Sequence, residues 1–173
     1  LFSKAVTSLS GPNDPVVLPK DSVKGDWEVE LAVIIGRKAQ YVEQADALDV
    51  IAGYSIINDV SEREFQLERC GQWVKGKSFD TFGVFGPVIA TGLEPGSLVV
   101  KTVLNGDERQ NYPISDMIFP VPKLVSMISH DMTLMPGDVI ACGTSIGVGS
   151  MKEKSNTVEV TIEGIGTLAN VFE

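Results

Sequence analysis

Glu28 and Glu30 stand two residues apart in the stretch "DWEVELAVIIG". In an extended strand, side chains at i and i+2 share a face, with Cα atoms about 6.5 Å apart. The two carboxylates therefore point the same way and repel. A cation between them relieves that repulsion. Hard dications such as Mg2+ take oxygen ligands, so the pair suits such an ion. The simpler alternative is a solvated strand face.

A second group lies in "GYSIINDVSEREFQ". An apolar run delivers Asn58 and Asp59 at a strand end, and a helix is expected to begin at once, with Ser61 as its N-cap. A carboxylate at such a junction is either a helix cap or a ligand. Arg63 and Gln66 are i and i+3 on the expected helix and point the same way. Arginine suits a substrate carboxylate because it donates two parallel hydrogen bonds. The alternative is that Asp59 caps the helix and Arg63 pairs with a surface charge such as Glu62.

Lys77 lies in "WVKGKSFDTFGVFGP", among Phe and Gly. A lysine held among apolar rings loses solvation, and its pKa falls. Such a group can stabilise an enolate or balance charge near a metal; otherwise it is a lysine snorkelling from a loop. "GKS" is not a phosphate-binding loop here, because the earlier glycine of that pattern is absent. In "LMPGDVIACGTSIGVGS", Pro136-Gly137-Asp138 turns into a strand, and Gly143-Thr144-Ser145 leaves it. Backbone N–H groups and the Thr144 hydroxyl could meet an anionic ligand, although glycine-rich loops are common without one. Asp80, Asp116, Asp131 and His130 have no supporting pattern and read as surface or turn residues. Cys70 and Cys142 have no base beside them and read as inert thiols.

The elements that must position these groups are mostly short strands. Glu28 to Ile35 reads as a core strand ended by Gly36, and Gly53 to Ile57 as another apolar run. Further strands are expected at Phe85 to Ala90, Leu98 to Leu104, Val139 to Ala141 and Val158 to Ile162. Asn105-Gly106 is a strong hairpin signal. Helices are expected at Gln44 to Val50, at Ser61 to Cys70, and from near Lys123 to Ile128 on the outside. Many short strands and few short helices predict a mostly β (α+β) fold curled into a roll or barrel.

Composition sets the outer bounds. The chain has 173 residues, 43% apolar and 21% charged, which describes one ordinary globular domain over 1–173. Lys plus Arg is 14 against 23 Asp plus Glu, a formal net charge of −9. That balance opposes binding to nucleic acid or to an anionic membrane. No apolar run approaches the ~20 residues of a transmembrane helix. Two distant cysteines, with no visible signal peptide, lead to the expectation of a reduced, cytoplasmic setting. The single histidine excludes sites that need two. The chain begins at Leu1 rather than Met, so further upstream residues are expected.

The order of six blocks is more specific than any one of them: "DWEVELAVIIG", "GYSIINDVSERE", "GKSFDTFGVFGP", "LNGDERQ", "MTLMPGDVIACGTSIGVG" and "VTIEGIGTLAN". This succession resembles the C-terminal catalytic domain of the fumarylacetoacetate hydrolase family, over nearly the whole chain. The resemblance implies a mostly β roll and a homodimer. It also implies a Mg2+ ion (or Mn2+ or Ca2+) held by Glu28, Glu30 and Asp59. By the same matching, Lys77 is the active-site lysine, and Arg63, Gln66 and Thr144 face substrate. Thr81 matches a residue near the metal.

Two departures stand out. The loop reads "GTSIG" where the family usually has Pro after Thr. No His precedes "DWEVE", where hydrolytic members often use a His–Glu pair. The function implied is hydrolysis of a C–C bond in an acylpyruvate-like 2,4-dioxo acid through an enolate. One alternative is an isomerase, decarboxylase or ureidoglycolate-type lyase on a related oxo-acid. The other is a non-catalytic member that keeps the ion.

Overall fold

The structure, a computed structural model, describes residues 1–69 and 71–173. Cys70 and the end of the expected helix Ser61 to Cys70 lie outside the described residues. Among those described, the strands are β1 (Leu9–Ser10), β2 (Gly25–Asp26), β3 (Val29–Ile35), β4 (Ile51–Asp59), β5 (Ser61–Glu62), β6 (Gly83–Ala90), β7 (Val99–Leu104), β8 (Asp107–Pro113), β9 (Val139–Ala141), β10 (Asn156–Ile162) and β11 (Gly166–Phe172). The α-helices are α1 (Val74–Lys77) and α2 (Val121–Asp131). The fold is mostly β, as the sequence predicts.

One sheet runs β1-β6-β4-β3-β9 and a second runs β11-β10-β7-β8, with β2 and β5 forming a separate pair. The two larger sheets enclose the core. From β3, Val29, Leu31, Val33 and Ile35 are almost fully buried and join residues such as Val84, Val100, Val160, Ile162 and Phe172. Each such side chain contributes about 1.5–3 kcal/mol of apolar burial. Alternation along β3 then places Glu30 on the opposite face. Asn105 and Gly106 both have positive φ, 51° and 88°, as a tight hairpin turn between β7 and β8 requires.

The segment after Asp59 departs from expectation. Ser61 does not cap a helix: Ser61 and Glu62 form β5, antiparallel to Gly25 and Asp26. The Ser61 hydroxyl donates to Asp59 O at 2.9 Å. Pairing with β2 overrides the helical propensity of these residues. The helical turn comes later, at Glu64–Glu68, with the wide π spacing that the Arg69 N–H to Glu64 O bond closes. Glu62, a surface charge only in the alternative reading of Arg63, is fully buried; its Oε2 accepts from Phe65 N and its Oε1 from Val23 N and Lys24 N.

Helix α2 starts at Val121 rather than near Lys123, because Pro122 sits in the first turn, where a missing N–H costs nothing. It buries Val121, Val125 and Ile128 and packs on the helical turn Gln44–Val50. No helix among the described residues is long and apolar enough to cross a membrane.

Candidate metal and substrate site

The register of β3 against β4 assembles the acidic cluster. Glu30 pairs with Ile57 and Val29 with Asn58. One step further, Asp59 N donates to Glu28 O at 2.8 Å, so Glu28 lies across from Asp59. Glu28, Glu30 and Asp59 then share one face, and one oxygen from each lies within 4.8 Å of the others. Their residues are 8%, 4% and 1% exposed. Like charges placed directly across a sheet are destabilising, and burial raises that cost. The cluster therefore needs positive charge.

Three side chains supply some of it. Lys77, 1% exposed, places Nζ 2.6 Å from Glu28 Oε2 and 2.9 Å from Asp59 Oδ2. Lys4 Nζ lies 2.6 Å from Asp59 Oδ1 and also donates to the carbonyls of Val60 and Lys77. Arg63 Nη1 lies 2.6 Å from Glu28 Oε1, and its Nε lies 2.8 Å from Asp26 Oδ2. Both oxygens of Glu28 and of Asp59 are thus matched to a cation.

Glu30 is different. Its Oε2 accepts from the Gly143 backbone N–H at 2.6 Å, and no ion pair is formed to it among the described residues. Burial pushes its carboxyl well above the usual range, and the charges of Asp59 and Glu28 push further, against the pull of Gly143 N–H and Lys77. Counting Asp26, four carboxylates face three cations. One dication would turn the balance to a single positive charge, which suits an anionic substrate. An all-oxygen set of three carboxylates fits a hard divalent ion.

The structure brings some of the expected site residues together and sets others apart. Arg63 and Gln66 do meet, with Nη1 donating to Gln66 Oε1 at 3.0 Å. Arg63 does not pair with a surface acid; Asp26 and Glu28 hold it, and their charges raise its pKa although burial opposes them. Gln66 is 2% exposed and packed beneath α1. A Cβ on Gly76 would lie 2.6 Å from Gln66 Cβ and from Glu62 O, so a glycine there lets α1 press onto this turn and deliver Lys77. Phe2 lies over Lys77 Nζ, 5.1 Å from ring centroid to nitrogen.

Thr144 is half-buried beside Gly143, its Oγ1 2.9 Å from Gln110 Nε2. The Thr81 hydroxyl accepts from Val17 N at 2.9 Å, at a backbone with φ 69°. His130 stays on the exposed side of α2, with Nδ1 2.8 Å from Ser126 O. Asp80, Asp116 and Asp131 are exposed. A cavity of about 500 Å3 adjoins the glycine-rich loop on the Trp27 side; Gly147, Gly149, Arg109 and Lys152 line it, and the three carboxylates do not.

Sequence reasoning missed three contributors. Asp26 continues the alternation of Glu28 and Glu30, and that spacing could have found it. Its Oδ1 accepts from Trp27 N and Gly149 N, and burial raises its pKa against the pull of Arg63. Lys4 is separated from Asp59 by 55 positions with no local pattern to mark it; burial lowers its pKa while Asp59 opposes the shift. Gln110 comes from the other sheet, and no local signal links it to Thr144.

The fold as a whole is similar to those of known proteins. Structural likeness is high to 5-carboxymethyl-2-hydroxymuconate delta-isomerase from Mycobacterium smegmatis, at TM-score 0.92 and 44% identity, over 96% of this chain and 65% of that one. It is as high to 2-hydroxyhepta-2,4-diene-1,7-dioate isomerase from Mycobacterium marinum, at 0.92 and 45%, with the same coverage. Fumarylacetoacetate hydrolase from Exiguobacterium antarcticum gives 0.95 and 40%, over 99% of this chain and 65% of that one. A Burkholderia cenocepacia protein provisionally named a hydrolase is 49% identical over 176 residues, 96% of this chain. This chain spans 62% of that relative's length. The fumarylacetoacetate (FAA) hydrolase C-terminal family matches residues 1–173. By its fold, its buried acidic cluster and this match together, the chain belongs to the fumarylacetoacetate hydrolase family.

Proposed function

We propose that this chain carries the catalytic site of a divalent-metal-dependent enzyme that forms the enolate of a 2-oxo acid. The substrate class is an acylpyruvate-like 2,4-dioxo acid, and the ion is Mg2+, held by Glu28, Glu30 and Asp59. The observation that carries the reading is Glu30, a buried carboxylate grouped with two others and lacking, among the described residues, the cationic partner that both of its neighbours have. A bound dication there would supply Lewis-acid polarisation of a substrate carbonyl.

The protein's own groups do the rest. Lys77 holds Glu28 and Asp59 in register and adds positive charge where an enolate oxygen would develop. Arg63, fixed through Nε by Asp26 and through Nη1 by Glu28 and Gln66, directs its Nη2 donors to the substrate carboxylate. Thr144 offers a hydroxyl at the edge of the site. In hydrolysis, water adds to the distal carbonyl carbon, and the bond from that carbon to the methylene breaks. Its electron pair moves onto the 2-oxo oxygen as the enolate, and protonation at carbon releases a 2-oxo acid and a second acid.

Isomerisation is the second reading. It passes through the same enolate without an attacking water, and both Mycobacterium structures named above bear isomerase names. The only histidine, His130, sits on the exposed side of α2. His130 is therefore not the water-activating base of the hydrolytic reading. A Mg2+ titration followed by acetylpyruvate and related diketo acids tests both. Pyruvate with acetate supports hydrolysis, and a spectral change without fragmentation supports isomerisation. Carbon dioxide release would instead mean decarboxylation. Turnover that survives EDTA, or no turnover of any 2-oxo acid, would overturn the proposal.

A further inference from the structure

Gln110, in β8, is 2% exposed and reaches the glycine-rich loop from the second sheet. Its Nε2 lies 2.9 Å from Thr144 Oγ1 and 3.3 Å from both Ser145 O and Ile146 O. Backbone carbonyls only accept, so the amide nitrogen must face the loop. The amide oxygen accepts from the buried Thr102 hydroxyl at 3.0 Å. The direction of the amide is thus fixed by its partners at both ends.

The consequence falls on Thr144. Its Oγ1 accepts from Gln110, so its own proton is left to be donated. Tyr112 Oη lies 3.3 Å away, but Tyr112 already donates to Val29 O at 3.0 Å. Burial pushes that phenol's pKa up, so the proton stays on it. Toward Thr144, Tyr112 can therefore only accept, across a distance long for an O–H···O bond. An incoming anionic oxygen can replace it.

The loop backbone supports the same arrangement. Gly147 has φ 100°, and a Cβ there would lie 2.2 Å from Arg109 O and 2.9 Å from Gln110 Cγ. The loop lies directly on residues 109–110. Its start is tied to Glu30 through Gly143 N, and its end to Asp26 through Gly149 N. Gln110 holds the span between these two ties.

We propose that Gln110 is a positioning residue that presets the Thr144 hydroxyl as a hydrogen-bond donor to a carboxylate or carbonyl oxygen of the substrate. This rests on the 2-oxo-acid reading given above.

The test is calorimetric titration of the full chain, loaded with Mg2+, with oxalate, an unreactive dianion bearing two adjacent carboxylates. Gln110→Met keeps similar bulk and removes both donor and acceptor. Gln110→Asn keeps an amide but withdraws it by one methylene, and serves if the first variant does not fold. Each Gln110 variant, and Thr144→Val, should weaken oxalate binding about tenfold, the scale of one charge-assisted hydrogen bond. The double variant should also lose about tenfold rather than about a hundredfold, because both changes remove one function. Mg2+ affinity should change by less than about twofold, which separates positioning from damage to the acidic cluster. Additive losses, or unchanged oxalate affinity in the Gln110 variants, would overturn the role of Gln110 and leave the 2-oxo-acid reading standing. Failure of the unaltered protein to bind oxalate with Mg2+ present would overturn both.

Discussion

Lys77 bridges to Glu28 across 2.6 Å from a position 1% exposed, and the same ammonium also reaches Asp59. A carboxylate just before β3 and another at the end of β4 are therefore held by one buried cation. Removing one partner of a buried charge pair costs about 3–5 kcal/mol. Lys77→Met should accordingly lower the melting temperature in EDTA. Turnover should fall more than Mg2+ affinity. Equal melting temperatures in EDTA would show that the bridge does not stabilise the fold.

Asp26 acts on the site from one step further out. Its Oδ2 fixes Arg63 Nε at 2.8 Å, while Oδ1 ties down Gly149 N. Asp26→Asn removes the charge and brings an amide donor against the guanidinium or the loop. Oxalate affinity should fall about tenfold, by loss of a charge-assisted contact on Arg63. Unchanged affinity would mean that Arg63 is held well enough by Glu28 and Gln66 alone.

Glu62 gives a pH signature separate from the acidic cluster. Burial works to raise its pKa, but the N–H groups of Phe65, Lys24 and Val23 and the Ser22 hydroxyl outweigh it, and the net shift is downward. A depressed folded-state pKa gives stability that is fully present above the unfolded value, near 4.3, and is lost as pH falls through the folded value. Glu62→Gln should cost about 1.5–3 kcal/mol at neutral pH. The gap should shrink below about pH 4. Denaturant melts across that range would read it, and a constant gap would contradict it.

Cys142 should be chemically quiet. Burial raises its thiol pKa, Glu30 adds to the shift, and the thiolate is the reactive form. In the native protein at pH 8, iodoacetamide should leave Cys142 unmodified, and denaturant should expose it, as peptide mapping would show. Fast native alkylation would contradict this environment.

Much of the acidic cluster was legible because strand alternation is a local rule. Glu28 and Glu30 share a face by spacing alone, and Asp59 closes an apolar run. The register that brings β3 and β4 together is not local, and neither is the approach of Lys4 to Asp59. Ser61 reads as a helix cap because its neighbours favour a helix, whereas pairing with Gly25 and Asp26 decides the structure. Gln110 had no signal, since its partner Thr144 is 34 positions away on another element.

Among the described residues, the Glu28, Glu30 and Asp59 cluster is one cation short. Glu30→Gln keeps the shape and an oxygen for Gly143 N–H while removing one charge. Calorimetric titration with Mg2+, paired with melting in EDTA, measures that shortfall. One ion should bind per unaltered chain. Affinity should be at least about a hundredfold weaker in the variant, since one of three ligand charges is gone. The variant should be at least as stable as the unaltered protein in EDTA, because the uncompensated buried carboxylate is gone. Undiminished Mg2+ affinity in Glu30→Gln, or no binding to the unaltered chain, would contradict it.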